Sequence, residues 1–95
     1  MIRVVARLIS KPERIAETRA ALEALIEPTR AEEGCILYEL MQNKADPADF
    51  TFIEEWTSDA ALDAHLDTPH LRELQSREAE LLAAAPDIRR YILIR

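Results

Sequence analysis

Residues 35–57 read CILYELMQNKADPADFTFIEEWT. Two runs of strand character, Cys35–Asn43 and Phe50–Thr57, flank the turn-forming segment KADPAD at 44–49, so the stretch predicts a β-hairpin. In the second run Phe50, Phe52, Glu54 and Trp56 recur at every second position and must share one face of their strand. In the first, Ile36, Tyr38, Leu40 and Gln42 alternate with Cys35, Leu37, Glu39, Met41 and Asn43, which sends Tyr38 to the same side as Ile36 and Leu40.

Upstream, Ile2–Ile9 (IRVVARLI) is a first strand, with Ile2, Val4, Ala6 and Leu8 on one face and Val5 and Ile9 on the other. Ser10 and Glu13 have the spacing of a capping box, and Pro12 suits a first helical turn. A helix is expected from there, carrying Ile15, Leu22, Leu25, Ile26 and Thr29 on its buried stripe, bending near Pro28 and ending at Gly34 in a left-handed cap. Downstream, Ser58 caps a short helix to Asp67, and Thr68-Pro69 starts a second helical segment to about Ala84. Ile88–Arg95 closes the chain as a fourth strand.

The order β-α-β-β-α(α)-β is that of an α+β ferredoxin-like sandwich, a single domain over residues 1–95 with helices on one face of an antiparallel sheet. The other face departs from the clean polar alternation of a solvated sheet, because Ile53, Tyr91 and Leu93 oppose the apolar set on the helix side. A second copy of the chain is the simplest cover, so a homodimer is expected. Its benefit is plain from composition: 15 of the 46 apolar residues are Ala, which leaves a thin core in a 95-residue chain.

Composition also excludes classes of function. There is one glycine, Gly34, where Gly-rich phosphate cradles need several. The net charge is −6 with no run of five like charges, which argues against nucleic-acid binding. One cysteine, Cys35, permits no internal disulfide, and with no leader-like or membrane-spanning segment a cytoplasmic protein is expected. His65 and His70, five apart across a helix break and without a Cys/His cluster, predict no metal site.

The residues with chemical potential are few. Glu54 lies between Phe52 and Trp56; burial there raises a carboxyl pKa and suits an acid, a base or an anchor for a hydroxyl, unless Arg7 or Arg90 pairs with it. His65 falls on the apolar side of its helix, beside Leu62 and Leu66, as a tuned base or a satisfied core residue. His70 is placed at a cavity mouth or in solvent. Tyr38 lines a pocket or packs, and Cys35 reads as a small buried hydrophobe.

The opening IRVVARLISKPE, Glu33-Gly34-Cys35 with Tyr38 and Leu40, the run FTFIEEW and then ALDAHLDTPHL together resemble the antibiotic biosynthesis monooxygenase family, including its quinol monooxygenases. The resemblance covers nearly the whole chain. It implies a dimeric α+β barrel, an apolar cavity holding Trp56, Glu54 and His65, and oxidation of a small electron-rich aromatic (a quinol or anthrone) by O2 with no metal or organic cofactor. In that reading His65 is the base, Glu54 orients it or the substrate, Trp56, Phe52 and Tyr38 are aromatic walls, and His70 is a further substrate contact. Haem-degrading relatives use an Asn on the first strand, absent here, and nothing separates a relative that processes a phosphorylated signalling sugar. The alternative of a different class is a ligand-binding or stress-associated dimer without catalysis.

Overall fold

A computed structural model describes all 95 residues. Its elements are β1 (Ile2–Ile9), a 3-10 turn (Pro12–Arg14), α1 (Ile15–Glu23), α2 (Ile26–Arg30), β2 (Cys35–Gln42), β3 (Asp49–Trp56), α3 (Asp59–Leu66), α4 (Pro69–Leu81) and β4 (Asp87–Tyr91). The four strands form one antiparallel sheet in the order β2-β3-β1-β4. This is the ferredoxin-like α+β arrangement expected from the order of elements.

β1 and β3 form the middle of the sheet, and their helix-facing residues pair in register, Val4 with Glu54, Ala6 with Phe52 and Leu8 with Phe50. Those side chains face the helices and meet Leu22 of α1, Leu25, Leu62 of α3, and Leu71, Leu74 and Leu81 of α4 in one core. The single-residue parity leaves Arg3, Val5 and Arg7 on the opposite, open face. That face and the adjoining tail carry exposed Val5, Met41, Tyr91, Ile92 and Leu93.

Four local expectations are corrected. Ser10 does not cap the first helix: its backbone is bridged to Leu82 and its hydroxyl lies 2.7 Å from that of Thr18, which uses up the side chain that would have capped. The helix predicted to bend near Pro28 is two helices, broken between Glu23 and Ile26. An irregularity between Cys35 and Leu37 shifts the register of β2, so Ile36 turns out to solvent while Tyr38 is buried. The fourth strand stops at Tyr91 rather than Arg95, because Tyr91 pairs with Arg3 and β1 has only Ile2 beyond it to offer.

Gly34 occupies the left-handed region expected of it, at φ +87°. Space demands glycine there as well as conformation: an added Cβ would lie 2.6 Å from Ala61 Cβ and 2.7 Å from Thr57 Oγ1. Its carbonyl accepts the Thr57 N–H at 2.9 Å, so this turn is fastened to the start of α3. Gly34→Ala is expected to lose about 2–4 kcal/mol of stability, combining the positive-φ penalty with overpacking, as measured by urea unfolding.

Candidate active site

The buried face of β3 continues its pattern into the site. Glu54 follows Phe52 and precedes Trp56 on that face, and is 4% exposed. Arg7 and Arg90 do not reach it. Arg7 lies on the open face and binds Asp49 through two hydrogen bonds, while Arg90 spans to Asp59 and Asp63 of α3. The partner of Glu54 is its neighbour two residues on: Trp56 Nε1–H donates to Glu54 Oε1 at 2.9 Å. One neutral donor does not offset the loss of water, so burial pushes the Glu54 carboxyl from 4.5 up to about 7, with the Trp56 bond opposing and the nearby Glu32 charge adding to the rise.

His65 comes from α3, whose start is fixed by Ser58 Oγ accepting the Ala61 N–H at 3.1 Å. The imidazole is 2% exposed, tilted against Trp56 with centroids 4.6 Å apart and edge-on to Tyr38 at 5.6 Å. Tyr38 in turn stacks on Phe52 at 4.7 Å. Burial also raises the Tyr38 hydroxyl, with the charge of Glu54 acting in the same direction, so it stays a neutral phenol.

The residue that sequence reasoning missed is Glu32. It sits in the turn after α2, two positions before Gly34, and its Oε2 lies 2.8 Å from His65 Nδ1 and 2.7 Å from His70 Nε2. His70 is brought there by the tight α3–α4 junction, where Thr68 Oγ1–H donates to the His65 carbonyl at 2.7 Å and Pro69 opens α4. No local motif reveals this meeting, since Glu32 is 33 and 38 residues from its partners. The three donor atoms, one of them from a residue outside the pair of histidines, lie within 4.8 Å of one another, a grouping that could receive a cation. As they stand, hydrogen bonds to the carboxylate already occupy both rings.

Burial lowers the His65 pKa below 6.5, although the Glu32 hydrogen bond and charge pull it back. The ring is therefore neutral at pH 7. A neutral imidazole facing a carboxylate places its one proton on the near nitrogen, here Nδ1, which leaves the lone pair on Nε2. Glu32, and not Glu54, orients His65.

Glu54, His65, Tyr38 and Phe52 all line a cavity of about 50 Å³ between the sheet and the helices, closed mainly by Leu25, Leu62, Leu71 and Leu74. That volume is below the ~300–1,000 Å³ of drug-sized small-molecule sites. Two other expected contacts are placed differently. Trp56 is wholly buried behind Glu54 and His65 and does not line the cavity, and His70 faces a separate pocket.

A sequence model described as antibiotic biosynthesis monooxygenase matches residues 1–77. The chain belongs to this family. Among relatives, Rv0793 of Mycobacterium tuberculosis is 38% identical over 81 residues, covering 85% of this chain and 79% of that one. YcnE of Bacillus subtilis is 32% identical over 88 residues, covering 93% of each. The Synechocystis protein sll1783 is 37% identical, and the matched region spans 55% of its length. A crystal structure of an antibiotic biosynthesis monooxygenase superposes with a TM-score of 0.93 at 33% identity over the full length of both chains. The family assignment agrees with the resemblance read from FTFIEEW and ALDAHLDTPHL.

Glu54 makes stability depend on pH in a defined sense. Its folded pKa of about 7 lies above its ordinary 4.5, so its contribution is fully present below pH 4.5 and is lost as pH rises through 7. Glu54→Gln, which retains an acceptor for Trp56, is expected to remove this slope. The wild type should lose ~3 kcal/mol relative to the variant between pH 4.5 and pH 8, measured by chemical unfolding at several pH values.

Proposed function

We propose that this protein is a cofactor-independent monooxygenase that oxidises a small, flat, electron-rich aromatic hydroxy compound, of quinol or anthrone type, with O2. The observation that carries the reading is the His65 ring, which lines an apolar cavity and has its Nδ1 2.8 Å from Glu32 Oε2; in this reading Nδ1 keeps the proton and Nε2 is the base. A base with an orienting carboxylate is the pairing that proton abstraction requires.

In this chemistry the substrate supplies every electron. Nε2 of His65 removes a phenolic or benzylic proton, and the resulting anion is electron-rich enough to reduce O2. For an anthrone, the CH2 becomes C=O by taking one oxygen atom; the O–O bond breaks, and the other atom leaves as water with the two hydrogens. Glu54, half ionised near pH 7, accepts or donates a hydrogen bond at a substrate hydroxyl. Phe52 and Tyr38 provide a flat aromatic wall, while Trp56 supports the site from behind by holding Glu54 and packing on His65. The leucine-lined cavity limits water around the anion.

The working unit in this proposal is a homodimer formed across the open sheet face, supported by the exposed Val5, Met41 and Tyr91 there and by Ile92 and Leu93 in the adjoining tail. No helix is long and apolar enough to cross a membrane.

With a panel of reduced naphthoquinones and anthrones in an oxygen electrode, His65→Ala is expected to lose about 10²–10⁴-fold in kcat while retaining its fold by circular dichroism. Full activity in that variant would reject the base. Thermal-shift binding without any oxygen uptake by the wild type would favour a ligand-binding protein. Light scattering after size exclusion is expected to give twice 10.8 kDa, and Val5→Glu, placing a charge on the open face, to shift the mass toward the single chain.

A further inference from the structure

The chain has two histidines, and the fold brings both onto one carboxylate. His65 Nδ1 and His70 Nε2 lie 2.8 and 2.7 Å from Glu32 Oε2, and the three atoms fall within 4.8 Å of one another. Three parts of the chain meet there: the turn after α2, the buried side of α3 and the first turn of α4. The Glu32 side chain is 14% exposed, yet no lysine or arginine pairs with it. Its ion-pair contacts are the two imidazoles, and Arg30, two residues away, donates to the Tyr38 carbonyl instead. A carboxylate this far from water is ordinarily matched by a permanent cation.

We propose that His65 Nδ1, His70 Nε2 and Glu32 Oε2 are the ligands of a zinc-type divalent cation, and that occupation of this site disables His65 as a base. Two imidazole nitrogens and one carboxylate oxygen are a donor set of zinc sites that have three protein ligands and leave a fourth position for water. The set is poorly matched to Ca²⁺ or Mg²⁺, which take oxygen ligands. Ligand bonds of ~2.0–2.2 Å give a tetrahedral site edges of roughly 3.3–3.6 Å. Both contacts to Glu32 must therefore widen, by less than about 1 Å, while the two nitrogens already lie within 4.8 Å. A neutral ring donating to Glu32 carries its proton on the near nitrogen. When the cation takes that nitrogen, the ring loses this proton and takes one up at its other nitrogen, so it stays neutral and no net proton or electron is released. For His65 the other nitrogen is Nε2, the base of the monooxygenase reading. The loss of the base rests on that reading; the cation site does not.

The test is titration of chelator-treated protein with Co²⁺ or Zn²⁺ alone. One Co²⁺ per chain is expected, with the intense visible bands of four-coordinate cobalt, and Zn²⁺ should displace it. Glu32→Gln and His70→Ala are each expected to weaken Zn²⁺ binding in calorimetry by at least about 100-fold, the upper end of what loss of an outer partner costs a metal site, with the fold retained by circular dichroism. A second measurement needs no variant: in ¹⁵N NMR of the wild-type histidine rings, Zn²⁺ should move the His65 Nδ1 and His70 Nε2 signals and leave a proton on His65 Nε2. Absence of binding, unaltered binding in both variants, or attachment through His65 Nε2 overturns the site. With a hydroquinone or anthrone as substrate in the oxygen electrode, Zn²⁺ is expected to suppress uptake with an inhibition constant equal to its Kd. Undiminished uptake by the zinc-loaded protein overturns the coupling to the base and leaves the site standing. If the metal-free protein consumes no such compound, the monooxygenase reading fails, and calorimetry and NMR still decide the site.

Discussion

Insertion of β3 between β1 and β2 is the constraint on which the rest of this molecule depends. Pairing on both edges fixes its register to the residue, and a slip of one position would turn Phe50, Phe52, Glu54 and Trp56 out of the core together. Three of those side chains supply apolar bulk. The fourth is a carboxyl, and the same strand holds Trp56 Nε1 within hydrogen-bond distance of it. The same register brings Tyr38 opposite Glu54, so the cavity wall is a product of strand pairing before any helix contributes.

The helices then add what a sheet alone cannot. α3 delivers His65 onto Trp56, and the turn at Gly34 delivers Glu32 beneath it. These two deliveries are coupled through the Gly34 carbonyl, which holds the Thr57 amide just before α3. His65 and the carboxylate that holds it therefore belong to one mechanical unit, although they are distant in sequence.

The sheet and the inward position of His65 were legible because they depend on periodicity, which a single strand or helix displays in its own residues. The pairing of Glu54 was not. Whether Arg7 reaches Glu54 is decided by which side of β1 it occupies, and whether Arg90 does so is decided by its attraction to Asp59 and Asp63 of another element. Glu32 was invisible for the same reason: one acidic residue in a surface turn resembles any other until the chain closes. Ser10 illustrates a different failure, in which a local capping signal was outcompeted by a tertiary contact with Thr18. The early stop of β4 follows from the length of its neighbour, which its own apolar sequence does not record.

The buried carboxyl also sets fold and reactivity against each other. Acidification makes Glu54 neutral and relieves the core, so the structure is most comfortable where the site lacks its negative charge. Alkaline conditions give the site an anion, at the expense of the sheet that carries it, and an anionic substrate would then meet repulsion from that wall. A protein built this way has its useful range near the crossing of those two tendencies. Evolution or design toward greater rigidity would meet resistance at this one side chain, because the substitution that most comforts the core also removes the carboxyl from the sheet side of the cavity.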